Sequence, residues 1–294
     1  MTLLEGITYM HEHVTIDLSG AKGTDDTNLD CFDETVQEFI RLYEKGVRNV
    51  VDATVIGMGA NPAYAQKVSE LSGINVILGT GFYTQRFLPE FALSASAESL
   101  ATFMTGEIRE GIAGTSLKAG YIGEIGCSKD GFTPAEKKVF EAAVIAYKET
   151  GRPIYTHCTL GTFGHEQVAF FKGQGMDLSK VVIGHADLCG SSDYVLRMAE
   201  QGAYVGFDTI GKENYLPDAT RVEMLKVLEA AGLIDRVMFS MDITRKSNMA
   251  HMGGIGYSYL LDVFVPSLQA SGISDGSIQK ILVKNPQAYF GGAA

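Results

Sequence analysis

Basic residues are in deficit: 24 lysines and arginines stand against 35 aspartates and glutamates, a formal net charge of −11. A nucleic-acid surface needs a basic face, and so does an anionic membrane surface, so neither is expected as a partner. Cysteine is scarce. The four cysteines, Cys31, Cys127, Cys158 and Cys189, are far apart with no CxxC, which argues for reduced thiols rather than a disulfide framework. No stretch approaches 18 uninterrupted apolar residues, so no transmembrane span is expected. The opening residues, MTLLEGITYMHEH, lack the basic start and long apolar core of a secretory signal. A cytoplasmic location is the expectation that follows. There is no GxGxxG after the first apolar run; GMGAN at 57–61 lacks the third glycine and an acidic partner, so a dinucleotide site is not indicated.

What is present is a regular alternation. Apolar or β-branched runs at residues 7–10, 48–54, 74–80, 119–125, 153–157, 180–186, 203–209 and 236–242 are each followed by a segment with helical periodicity. The clearest helix has Thr133 as N-cap, Pro134 at its first position and Glu136 completing a capping box, and stops at Gly151. The last helical region is expected between Tyr257 and Gln269, with a shorter one near Asp275 to Val283. Mostly apolar strands imply a sheet covered on both faces. Eight such units in 294 residues with 46% hydrophobic content predict one closed (β/α)8 TIM barrel, an α/β fold, occupying residues 1–294 as a single domain.

Only 6 histidines occur, and their placement is informative. His11 and His13 close the first strand, and with one residue between them they leave the same face. In a barrel, that face at the C-terminal end of a strand is the active-site mouth. An isolated HxH reads equally as a metal-ligand pair or as two hydrogen-bonded histidines. His157 ends the fifth strand, His185 the sixth and Asp242 the eighth, while Glu124 lies near the end of the fourth. Six metal-competent residues at one rim favour a metal site jointly, where each alone would not. Four imidazoles and two carboxylates exceed what one tetrahedral zinc with an open position needs. Two divalent cations are therefore expected, with Glu124 able to bridge them through its two oxygens. They would share a hydroxide that attacks an ester, lactone or amide, with Asp242 orienting it and accepting its proton. Glu12 points opposite to its neighbours and is expected in a supporting contact. HEH lacks the spacing of HExxH, so the zincin mechanism is not indicated.

The set G-x-T-x-x-H-E-H at 6–13, TGFY at 80–83, GEIG at 123–126, His157, GHAD at 184–187 and SMDITR at 240–245 resembles the phosphotriesterase family of the amidohydrolase superfamily, nearest to the branch of phosphotriesterase homology proteins. The resemblance implies a binuclear centre, usually of zinc. His11, His13 and Asp242 would hold the more buried ion, and His157 and His185 the more exposed one. It also implies a bridge that in most members is a carbamylated lysine. Here that position reads as Glu124, which puts paraoxonase-like activity in doubt. Tyr83 matches a position whose hydroxyl contacts a lactone ring oxygen or the bridging hydroxide; the alternative is a packing tyrosine. Lys212 follows the seventh strand, and Arg245 and Lys246 follow Asp242. These cations suit a phosphate or carboxylate, with solvated loop charge as the alternative, and Tyr257 and Tyr259 add hydroxyl donors.

The function expected is hydrolysis of a small anionic ester or lactone, phosphorylated sugar lactones among the candidates, by a protein that the resemblance implies forms a homodimer. A mononuclear amidase or deaminase of the amidohydrolase type and a catalytically silent metal-binding barrel are the competing readings. Metal content and turnover separate them.

Overall fold

A computed structural model describes residues 3–291; the outermost residues of the expected 1–294 unit lie outside the described residues. The first run forms β1 (Ile7–Glu12). A long loop follows, carrying the two-residue strands β2 (Ile16–Asp17) and β3 (Asn28–Leu29), paired antiparallel, and the single turn α1 (Ser19–Lys22). The other barrel strands are β4 (Val47–Asp52), β5 (Asn75–Thr80), β6 (Tyr121–Cys127), β7 (Ile154–Cys158), β8 (Val181–Gly184), β9 (Tyr204–Phe207) and β10 (Val237–Phe239). They pair in parallel in the order β1-β4-β5-β6-β7-β8-β9-β10. The ring closes where Asp242 N donates to the His11 carbonyl at 3.3 Å and His11 N to Ser240 Oγ at 3.0 Å. This is the (β/α)8 barrel.

Helices α2 (Phe32–Glu44), α3 (Pro62–Ser72), α5 (Ala97–Arg109), α6 (Pro134–Thr150), α7 (Gly164–Gly173), α8 (Ser192–Glu200) and α9 (Asp218–Ala230) surround it, with α4 (Glu90–Ser94) in the loop after β5. The expected capping box holds: Thr133 Oγ1 accepts from Glu136 N at 3.2 Å and Glu136 accepts from Thr133 N at 3.0 Å. The helix stops at Gly151, where φ is 67°, a conformation without steric penalty only for glycine. The last helical region starts later than its periodicity suggests. A π-type turn at Leu260–Phe264 precedes α10 (Val265–Ala270), and Tyr257 is outside both. The chain closes with α11 (Asp275–Gln279) and α12 (Asn285–Phe290).

Two apolar layers result. Met10, Val51, Ile77, Tyr121, Tyr155 and Met238 fill the barrel interior, while their strand neighbours Tyr9, Val50, Ile122, Ile154 and Val237 pack outward beneath the helices. This is the alternation expected of strands covered on both faces. Two of its breaks bear on the site. Between Tyr9 and Glu12, β1 advances three residues while β4 advances two, from Val50 to Asp52. Between Ile122 and Ile125, β6 does the same against Ile154 and Thr156 of β7. Each slip reverses the phase of the strand. His11 therefore follows Met10 inward, with its ring 4.9 Å from that of Tyr155, and Glu124 turns inward where strict alternation from Tyr121 would have turned it out.

Candidate metal centre

At the C-terminal mouth the inward side chains converge. Glu124 sits in the middle. Its Oε2 faces His157 Nδ1 at 3.1 Å, His11 Nε2 at 3.7 Å and His185 Nε2 at 3.8 Å, and its Oε1 faces His13 Nε2 at 3.8 Å. Asp242 Oδ1 lies 3.1 Å from His13 Nε2 and 3.7 Å from His11 Nε2. Two triples, His11–His13–Asp242 and His11–Glu124–His185, each bring three ligand atoms within 4.8 Å of one another. His11 belongs to both triples. His157 belongs to neither, although it touches Glu124.

The donor set fits cations. Both ring nitrogens of His11 are buried without a hydrogen-bond partner, and a buried polar atom left unpaired costs about 1–3 kcal/mol. An ion among these groups would give a partner to Nε2, the nitrogen that faces Glu124 and Asp242. Burial lowers the His11 pKa to about 4, so the ring is neutral and has a lone pair to offer. Burial would raise Glu124, but the facing imidazoles, His11 foremost, hold it far below the carboxylate range. Burial likewise opposes ionisation of Asp242, and Lys212 outweighs it.

His185 and Asp242 lie just beyond the ends of β8 and β10, not within them, and both adopt left-handed backbone, with φ of 55° and 52°. Such conformations in residues other than glycine are held by their surroundings and cluster at functional sites. For His185 the surroundings are plain. Asp208 accepts from its backbone N at 3.0 Å and faces its Nδ1 at 2.7 Å, with Tyr155 donating to the same carboxylate at 2.7 Å. Asp208 is thus committed to His185 and Tyr155, while Lys212 and Arg245 pair elsewhere, with Asp242 and Asp26. Glu12 supports the other bend, accepting from Ser240 Oγ, Met241 N and Ile243 N at 2.8, 2.7 and 3.1 Å.

A cavity of about 370 Å³ opens over the centre. Tyr83 lines it, with its hydroxyl 3.2 Å from His157 Nε2. Its position depends on Gly126, where a Cβ would lie 2.6 Å from the Tyr83 carbonyl carbon, and on buried Glu136, which accepts from Gln85 N at 3.0 Å and Ser128 Oγ at 2.7 Å. Lys212 and Arg245 also line the cavity. Lys212 Nζ reaches Asp242 Oδ2 at 2.5 Å and Arg245 reaches Asp26 at 3.1 Å. Three further cations, Lys22, Arg86 and Lys129, stand in the wall; nothing in their local sequence marked them.

Two of the expected substrate contacts are corrected. Tyr257 is fully buried and donates to the His13 carbonyl at 2.6 Å, and it packs edge-on against Phe39 at 5.2 Å. Lys246 turns away to Asp25 and Asp30, each at 2.9 Å. Neither lines the cavity. Tyr259 is used by Asp218 at 3.1 Å. His165 packs on Tyr194 at 4.3 Å and His251 is exposed.

Sequence reasoning missed Arg221. It is fully buried on α9 and donates to Asp187 at 2.6 Å, Asp218 at 2.8 Å and Thr209 at 2.8 Å. It ties together the loops after β8 and β9. An arginine within an amphipathic helical run gives no sign of facing inward.

The chain matches the phosphotriesterase family over residues 2–290. It is similar to the phosphotriesterase homology protein of Escherichia coli, with 47% identity over 97% of this chain and 98% of that protein. The crystal structure of that protein, complexed with phosphate in its active site, superposes with a TM-score of 0.96 over 97% of this chain and 99% of the other. A lactonase from Listeria monocytogenes superposes with a TM-score of 0.92 at 27% identity, over 97% and 94% of the two chains. The N-acetyltaurine hydrolase of Xenopus tropicalis is 32% identical over 87% of this chain and 77% of that protein. Among the described residues, no helix is long and apolar enough to cross a membrane.

Proposed function

The chain belongs to the phosphotriesterase family, and from that premise we propose that it is a two-cation hydrolase cleaving an ester or lactone of a small anionic molecule. The observation that carries the reading is the placement of Glu124, whose two oxygens face different imidazoles while buried His11 has no other partner. A carboxylate so placed is suited to bridge. His11, His13 and Asp242 would hold one ion, and His157 and His185 the other. Zinc is the metal that the imidazole and carboxylate donors suit. Two such ions, when bound, acidify the attacking water and polarise the scissile carbonyl or phosphoryl.

The protein's own residues supply the rest. Asp242 orients the water, and its Oδ2, turned from the imidazoles, takes the proton. Lys212 at 2.5 Å keeps that carboxylate ionised beforehand. Tyr83 keeps its proton, since burial pushes the phenol well above its usual range, and its hydroxyl donates to the leaving oxygen. The anionic class is supported by five cations in the cavity wall of a chain whose net charge is −11, and by a relative that holds phosphate in its active site.

A second reading, cleavage of the amide of a sulfonate-bearing substrate, is favoured by the N-acetyltaurine hydrolases among its relatives. It uses the same cations. The test is steady-state hydrolysis by zinc-loaded protein of phosphorylated sugar lactones, acyl-homoserine lactones, N-acetyltaurine and paraoxon. Anionic lactones are expected to exceed neutral ones at least about tenfold in kcat/KM, about 1.4 kcal/mol. Turnover confined to N-acetyltaurine selects the second reading. No turnover by protein holding two metal equivalents sinks both.

A further inference from the structure

Two of the four imidazoles are backed by a threonine whose own hydrogen is already in use. Thr54 Oγ1 lies 2.8 Å from His13 Nδ1 and donates to the Thr15 carbonyl at 2.8 Å. Thr159 Oγ1 lies 3.1 Å from His157 Nε2 and donates to the Cys127 carbonyl at 2.8 Å. A hydroxyl has one hydrogen, and a carbonyl only accepts. With that hydrogen on the carbonyl, each threonine oxygen can only accept from the ring. The ring nitrogen beside it therefore carries the N–H, and in a neutral imidazole the lone pair is on the other nitrogen.

The two threonines act on opposite sides of their rings. In His13 the lone pair falls on Nε2, which faces Asp242 at 3.1 Å and Glu124 at 3.8 Å. In His157 it falls on Nδ1, which faces Glu124 at 3.1 Å. With a cation between ring and carboxylate, both lone pairs point into the cluster; without one, Asp242 and Glu124, which only accept and lie 3.1 Å away, draw a second proton onto these rings. His185 reaches the same result through a carboxylate, Asp208, at 2.7 Å from Nδ1. A threonine differs from a carboxylate in one respect. It fixes the tautomer without adding negative charge to a centre that already contains Glu124 and Asp242.

We propose that Thr54 and Thr159 are positioning residues for the metal ligands His13 and His157, each fixing its tautomer through a chain from ring N–H to hydroxyl to backbone carbonyl. This rests on the two-cation reading of the site. Outer partners of metal-ligating histidines commonly contribute about 10–100-fold in affinity. Removing the Thr54 hydroxyl takes the acceptor from the His13 N–H and leaves it buried without a partner, and removing that of Thr159 leaves the His157 N–H only the Tyr83 hydroxyl at 3.2 Å.

The test combines histidine 15N NMR with zinc titration against a competing chelator. In zinc-loaded wild-type protein, the rings are expected to show N–H on Nδ1 of His13 and on Nε2 of His157. Thr54→Val and Thr159→Val should each weaken one of the two zinc equivalents about 10–100-fold, and Thr54→Ser and Thr159→Ser should keep wild-type affinity. The opposite tautomers in wild-type protein would overturn the proposal. So would valine variants, folded by circular dichroism, that bind both equivalents as tightly as wild type. Fewer than two equivalents in wild type would count against the two-cation reading instead. With one ion bound, the spectrum still decides the role of the threonine behind the ring that holds it, and the zinc-loaded wild-type spectrum decides where a valine variant does not fold.

Discussion

Replacing Arg221 with methionine should destabilise the fold by about 3–5 kcal/mol, the range for removing one partner of a buried ion pair. The structure says why the upper part of that range applies. The guanidinium is fully buried and serves Asp187, Asp218, Thr209 and the Leu216 carbonyl together. Methionine occupies similar space and donates nothing. Asp187 Oδ1 already has no partner, so Asp187 would retain only the hydroxyl of Thr209. With an unfolding entropy near 0.6 kcal/mol/K for a chain of this length, the loss corresponds to about 5–8 °C in Tm. Calorimetry of the wild type and variant at pH 5 and pH 8 measures it. Burial already holds the Asp187 carboxyl above its ordinary range, even with Arg221 beside it. A carboxyl whose folded pKa exceeds its unfolded one binds protons on folding, so ionising it as pH rises removes stability. The deficit should therefore be larger at pH 8 than at pH 5, and adding Asp187→Asn should recover more than half of it at pH 8. A fall in Tm below about 2 °C at pH 8, under roughly 1.2 kcal/mol, or a deficit that grows on acidification, would refute the reasoning.

Asp242→Asn is expected to lower kcat about 10²–10⁴-fold while two metal equivalents remain by elemental analysis; an unchanged kcat would remove its role. Lys212→Met should raise KM for an anionic substrate about tenfold, the loss of one charged hydrogen bond, and leave KM for a neutral lactone alone; equal effects on both would refute an anion contact. Tyr257→Phe should lower stability by about 1–2 kcal/mol through the lost bond to the His13 carbonyl, visible in urea unfolding, with KM unmoved. Lys246→Ala should change neither KM nor kcat, because its partners Asp25 and Asp30 lie outside the cavity.

The barrel was legible because buried parallel strands are written as apolar runs, and eight of them recur with helical segments between. The rim was legible because His11, His13, Glu124, His157, His185 and Asp242 fall where those runs end. Less was visible of how two of them come to face inward. The slips in β1 and β6 arise from pairing with β4 and β7, strands distant in sequence, and no local pattern encodes them. The left-handed turns at His185 and Asp242 depend on Asp208 and Glu12 in the same way. Tyr257 and Lys246 were misplaced because a tyrosine or lysine in a loop near a pocket has the same sequence signature whether it faces the pocket, the core or an acidic neighbour. Asp25 and Asp30 reach Lys246 only because the loop after β1 folds back over the barrel mouth. Thr54 and Thr159 were invisible because a hydroxyl's partner is decided by three-dimensional proximity alone.

The cations around the mouth have a kinetic consequence. At low ionic strength an approaching anion senses the whole molecule, which remains negative even with two divalent ions aboard. Near 0.15 M salt the screening length is about 8 Å, and the distant acidic surface drops out of range. The last few ångströms then belong to Lys22, Arg86, Lys129, Lys212 and Arg245. Capture of an anionic substrate is thus expected to be faster at moderate salt than at very low salt, and to slow again near 1 M, where screening shortens to about 3 Å. Repulsion at long range with attraction at the entrance would make the capture rate peak at an intermediate ionic strength.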